Sequence, residues 1–112
     1  MSGEPLTEQD FDAVADRALR ALDRQINEIS EGVEADLESG ILTLEFEDGT
    51  KYVVNSHRAA RQIWMAAERA AWHFDYRPSE GRWVAQKSGD ELWSALESVL
   101  SRKLGRAVKL GR

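Results

Sequence analysis

Apolar residues recur at spacings of three and four through Phe11, Val14, Ala15, Ala18, Leu22, Ile26 and Ile29. One such stripe over about six turns predicts a long amphipathic helix, roughly 7–30. Pro5-Leu6-Thr7 reads as its entry, with Thr7 as N-cap and Asp10 in the capping-box position. Glu8, Asp12, Asp16, Asp23 and Glu28 fall on its outer face, with Arg17, Arg20 and Arg24 among them.

The period then drops to two. Over 31–38, Val33, Ala35 and Leu37 point one way and Glu34, Asp36 and Glu38 the other, which predicts a strand with one acidic face. Ser39-Gly40 turns the chain into a second strand, Ile41 to Phe46. At Glu47-Asp48-Gly49-Thr50 two registers compete. A two-residue Asp-Gly loop would put Lys51 and Asn55 on the core face. A three-residue loop with Gly49 in a left-handed bulge sets Leu44 against Tyr52 and Leu42 against Val54, and the apolar pattern selects it.

Residues 56–61 read as a connection, and Gln62-Ile63-Trp64-Met65 as a short strand with Ile63 and Met65 inward and Gln62 and Trp64 outward. Trp72, Phe74 and Tyr76 alternate with His73 and Asp75 in a further strand. After a turn at 77–81 comes the strand 82–85. Ser88-Gly89-Asp90-Glu91 reads as a capping box opening a second helix, about 90–104, which Gly105 ends. Short turns make the sheet largely antiparallel. Two helices with one apolar stripe each can cover the same sheet face. The fold class is therefore α+β: a two-layer sandwich, N- and C-terminal helices on one face of a mainly antiparallel five- to six-stranded sheet, in a single domain over 1–112.

Charge changes the picture. Residues 1–50 hold fourteen acidic and three basic side chains, whereas 51–112 hold six and twelve, so the net −5 hides a split of −11 against +6. That asymmetry points to cation binding or to a basic partner, and the acidic balance argues against nucleic acid. The absence of Cys excludes disulfides and thiolate metal sites within the chain. No apolar run reaches bilayer length, and Met1 to Pro5 lack a basic start or apolar segment, so a soluble cytoplasmic protein is expected, with no membrane partner. Carboxylates alone offer a hard oxygen site, suited to iron, manganese, calcium or magnesium. One helix face cannot wrap an ion, so such binding would be weak and largely hydrated. The plain alternative is a solvated charged face favoured near the helix N-terminus by its dipole.

The run from Gly40 to Asn55, followed by Gln62-Ile63-Trp64-Met65-Ala66, His73-Phe74-Asp75, Trp83 and Ser88-Gly89-Asp90-Glu91-Leu92-Trp93, resembles bacterial (CyaY-type) frataxins across essentially the whole chain. The resemblance implies an iron-binding protein, not an enzyme, that regulates or supplies iron for iron–sulfur cluster assembly. It implies weakly bound ferrous or ferric iron on Glu8, Asp12, Asp16, Asp23, Glu28, Glu31, Glu34 and Asp36. It also implies docking on the cysteine desulfurase and scaffold complex through Asn55, Gln62 and Trp64, by a monomer that iron can drive to oligomerise. The chain departs from the pattern at Arg24 and Asn27, where carboxylates are usual, at Ala59-Ala60, where Pro is common, and at Ala70-Ala71, in place of a Gly pair, the last two changes bearing on loop shape.

On the residues themselves, an outward Trp64 beside amides is a contact composition, set against a Trp64 that leans onto its sheet neighbours. Phe74 and Trp93 read as core and Trp83 as either. His57 and His73 lack metal-ligand spacing; His73 near Trp64 is a candidate secondary metal contact. Two other readings stand: a metal-independent acidic interaction module, and a ferroxidase-type enzyme. No nucleophile–base pair or phosphate loop favours the enzyme.

Overall fold

The computed structural model describes residues 6–29 and 31–111. The helix-entry residue Pro5, the N-terminal residues Met1 to Pro5 as a whole, and Ser30 at the expected helix end lie outside the described residues. Helix α1 spans Glu8–Ile29. The N–H of Asp10 donates to Thr7 Oγ1 at 3.0 Å, so Thr7 caps the helix. Its buried stripe is Phe11, Ala15, Leu19, Leu22 and Ile26; Leu19 completes the pattern, while Val14, Ala18 and Ile29 flank it half-buried.

Six strands follow: β1 Val33–Glu38, β2 Ile41–Phe46, β3 Lys51–His57, β4 Gln62–Ala67, β5 Ala70–Arg77 and β6 Arg82–Ala85. They form one antiparallel sheet in chain order, and helix α2, Leu92–Leu104, comes last. The β2–β3 hairpin has the bulged register: Leu42 faces Val54 and Leu44 faces Tyr52. Phe46 N–H donates to Thr50 O at 2.9 Å, and Gly49 sits at φ 87°. One face of the sheet carries Leu42, Leu44, Phe46, Val54, Ile63, Met65 and Phe74, all buried under the two helices. Phe11 meets Trp83 edge to face at 5.9 Å. Trp83, Trp93 and Phe74 are all core.

Three local expectations are corrected. Strand β3 runs through Ser56 and His57, which the connection was expected to hold. Ala70-Ala71 are strand residues paired with Ala67 and Ala66; the turn is Glu68-Arg69, both at positive φ. Helix α2 is capped by Glu91 and not by Ser88. The Glu91 carboxylate accepts from the N–H groups of Trp93 and Ser94 at 3.0 and 3.1 Å, whereas Ser88 Oγ takes only the Asp90 N–H. Gly105 closes the helix, its N–H donating to Ser101 O.

Candidate functional site

The acids lie where the alternation placed them, and their surroundings divide them. The N-terminal group is matched by cations. Arg58, in the β3–β4 turn, reaches Glu8 at 3.5 Å and Asp12 at 3.2 Å. Arg20 donates to Asp16 at 2.7 Å, which raises the guanidinium pKa through that hydrogen bond. Asp23 is half-buried and accepts from Asn27 Nδ2 at 3.2 Å. Glu28, Glu31, Glu34 and Asp36 are exposed and form no ion pair among the described residues. Glu34 stands opposite Glu45 across β1–β2, so like charges meet at one register position.

Among the described residues, no group of three or more His, Asp or Glu is drawn together tightly enough to hold a metal ion. As a donor set this fits loose attraction of a hydrated hard cation; it does not fit a cage.

Asn27 joins the helix to the edge strand of the sheet. Its Oδ1 accepts from Ala35 N–H at 2.9 Å, and its Nδ2 donates to Ala35 O at 3.1 Å. The amide satisfies both backbone groups of one residue on the outer edge of β1, as a neighbouring strand would. A carboxylate has no donor for the Ala35 carbonyl.

The opposite sheet face presents the second site. Register aligns Ile41, Asn55, Trp64 and His73 in one row across β2 to β5. Trp64 does not stand free. It is half-buried, stacked between His57 at 3.8 Å (13° between planes) and His73 at 4.3 Å (15°). Its indole N–H donates to Gln62 Oε1 at 2.7 Å, and Gln62 Nε2 donates to Asp75 Oδ1 at 3.0 Å. Ala60 N–H donates to His57 Nδ1 at 3.3 Å, which orients that imidazole. The reading in which Trp64 leans onto its neighbours is thus the observed one, and its two ring faces are shielded. What the row offers a partner is ring edges, Asn55, and Ile41, which is 48% exposed.

Sequence reasoning brought together Asn55, Gln62 and Trp64 correctly as one face. It missed Arg58, His57 and Ile41. His57 is diagonal to Trp64, and only the β3–β4 register, with β3 extended to residue 57, could have revealed the stack.

This is the geometry in which known proteins become informative. A frataxin-like domain model matches residues 4–106. The chain belongs to the frataxin-like family. Similar sequences include the iron-sulfur cluster assembly protein CyaY of Ralstonia nicotianae, 41% identical over 88% of this chain and 89% of that one. The protein of the same name from Cupriavidus pinatubonensis is 35% identical over 96% and 98%. Among solved structures, the frataxin of Psychromonas ingrahamii superposes with a TM-score of 0.87 at 28% identity, covering 96% of this chain and 100% of that one. A trimeric yeast frataxin complexed with ferrous iron superposes at 0.71 with 26% identity, covering 92% and 90%. Among the described residues, no helix is long and apolar enough to cross a membrane.

Proposed function

We propose that this frataxin-like chain handles iron for iron–sulfur cluster assembly, and that it does so as a binding protein and not as an enzyme. Relatives that share over a third of its residues are named for that assembly process. In this reading the exposed acids of α1 and β1 attract ferrous or ferric iron as exchangeable cargo. The row around Trp64 docks on the cysteine desulfurase and scaffold complex.

The observation that carries the reading is the separation of the two surfaces. The acids line α1 and the edge strand β1; Glu34 and Asp36 share the outer sheet face with Trp64 of β4, but β2 and β3 lie between them. Cargo and partner can therefore be held together without competing for the same side chains. Weak binding suits transfer: a ridge that leaves water on the ion releases it readily.

Desulfurase turnover with wild type and with Trp64→Ala tests the docking. Removing Trp64 takes the centre out of the stack, and the chain's effect on the rate should fall by about tenfold in apparent affinity, as for a central interface aromatic. An unchanged effect rejects the Trp64 row as the contact. If the acids alone dock on a basic partner, raised ionic strength should abolish the effect while Trp64→Ala leaves it intact.

A further inference from the structure

The sheet has one stretch of open edge with a groove beside it. Strand β6 pairs with β5 only from Phe74 to Arg77. Ala70 to His73 pair with β4 on one side and with no strand on the other. The two-residue turn Glu68-Arg69 makes Ala67 and Ala70 the closing pair of the β4–β5 hairpin. Backbone groups alternate sides along an antiparallel strand, so those of Ala70 and Trp72 turn to β4, and those of Ala71 and His73 turn outward.

Beyond Ala85 the chain folds back. Gly89 N–H donates to Ala85 O at 2.7 Å, Ala85 N–H to Asp90 O at 2.8 Å, and Trp72 Nε1 to Asp90 Oδ2 at 3.0 Å. This loop forms the far wall of a groove of about 770 Å³ whose floor includes the small side chains of Ala70, Ala71 and Ala85. The space could admit an added strand without moving a bulky residue.

The other edges of the sheet are partly covered. Asn27 occupies β1 at Ala35, and Glu91 bridges Val84 on the far side of β6. The acids near the groove are engaged: Asp75 Oδ1 accepts from Gln62, and Asp90 Oδ2 from Trp72. The cations are not. Lys87 in the wall and Arg69 at the turn have no ion pair among the described residues. An uncovered strand edge selects an extended backbone, and unmatched cations select acidic side chains.

We propose that this groove binds an extended acidic peptide segment of a partner protein, which adds as a strand to the open half of the β5 edge and continues the line of β6. Iron has no part in this binding, and the groove borders the Trp64 row through Gln62 and His73.

The test is a ¹⁵N NMR titration of the full chain with the capped pentapeptide Thr-Val-Glu-Val-Glu, beside its Lys-for-Glu counterpart. The Ala71 and His73 amides should shift and exchange more slowly with the acidic peptide. Lys87→Glu, an exposed change, should weaken binding by about tenfold. Ala71→Pro removes an outward N–H and should abolish it. Three results overturn the proposal: no response of these amides at millimolar acidic peptide, equal binding of the Lys peptide, or indifference to Lys87→Glu. A doubling of mass with the same amides perturbed in the absence of peptide would assign the groove to a second copy of the chain, and also overturns it.

Discussion

Asn27 shows how one side chain can serve the fold at the expense of the ridge. Its amide holds Asp23 on one side and both backbone groups of Ala35 on the other. Asn27→Ala should cost about 1 kcal/mol, the net worth of exposed hydrogen bonds of this kind. Asn27→Asp adds a ridge charge yet should destabilise more, because a carboxylate would face the Ala35 carbonyl and the Asp23 carboxylate without a donor. Urea unfolding of the two variants checks the order, and an Asp variant as stable as wild type contradicts it. The glycines give a second residue-scale contrast. Gly49→Ala meets no atom within 4 Å, so only the left-handed backbone penalty of about 1 kcal/mol applies. At Gly40 a Cβ would also lie 2.7 Å from Ser56 Oγ, so Gly40→Ala should lower the urea midpoint further than Gly49→Ala does.

At the scale of elements, the C-terminal end of α2 is tied to two hairpin turns. Lys103 Nζ donates to Asp48 Oδ2 at 2.7 Å and to Thr50 Oγ1 at 3.2 Å, and Arg102 makes a two-bonded pair with Glu68 at 2.7 and 2.8 Å. The Lys103 hydrogen bond, with Thr50's, holds the Asp48 carboxyl far below the usual carboxylate range, and the Arg102 hydrogen bond lowers that of Glu68. Both groups therefore bind fewer protons in the folded than in the unfolded chain. Their contribution is complete above the ordinary carboxylate range and is lost as pH falls through the folded values. Thermal unfolding followed from neutral pH into acid should show a falling Tm that Lys103→Met flattens. High salt should flatten it too, since these groups are exposed. A Lys103→Met variant with an unaltered acid limb contradicts the assignment.

Elements were legible where alternation was strict. Leu42, Leu44, Tyr52 and Val54 determine the bulged hairpin because any other register buries Lys51 and Asn55. The β4–β5 turn was not legible, since Glu68-Arg69 takes a backbone region that glycine or asparagine usually marks. The α2 cap was misread for a related reason. Ser88 and Glu91 stand at capping-box spacing, but Glu91 is drawn inward by its bridge to Val84 and is only 7% exposed, so it caps the helix itself. Within the candidate site, each carboxylate's face could be read from periodicity, but its counter-ion could not. Arg58 reaches Glu8 and Asp12 only through the folded placement of the β3–β4 turn against α1.

Across the whole molecule, the division of charge between the two halves of the chain becomes a graded surface. Arg58 and Arg20 offset Glu8, Asp12 and Asp16 at one end, while Glu28, Glu31, Glu34 and Asp36 remain unmatched toward β1. Arg24 and Asn27 interrupt the row between them. A cation should thus settle at the β1 end, where no ion pair among the described residues has to be broken. The most direct measurement is an anaerobic ¹⁵N NMR titration with ferrous iron. Paramagnetic broadening should begin at Glu28, Glu31, Glu34 and Asp36, reach Glu8 and Asp12 only at higher iron, and spare the Trp64 row. Resonances of α1 and β1 that stay sharp at several equivalents of iron, or broadening that begins at His57 and His73, would contradict the account.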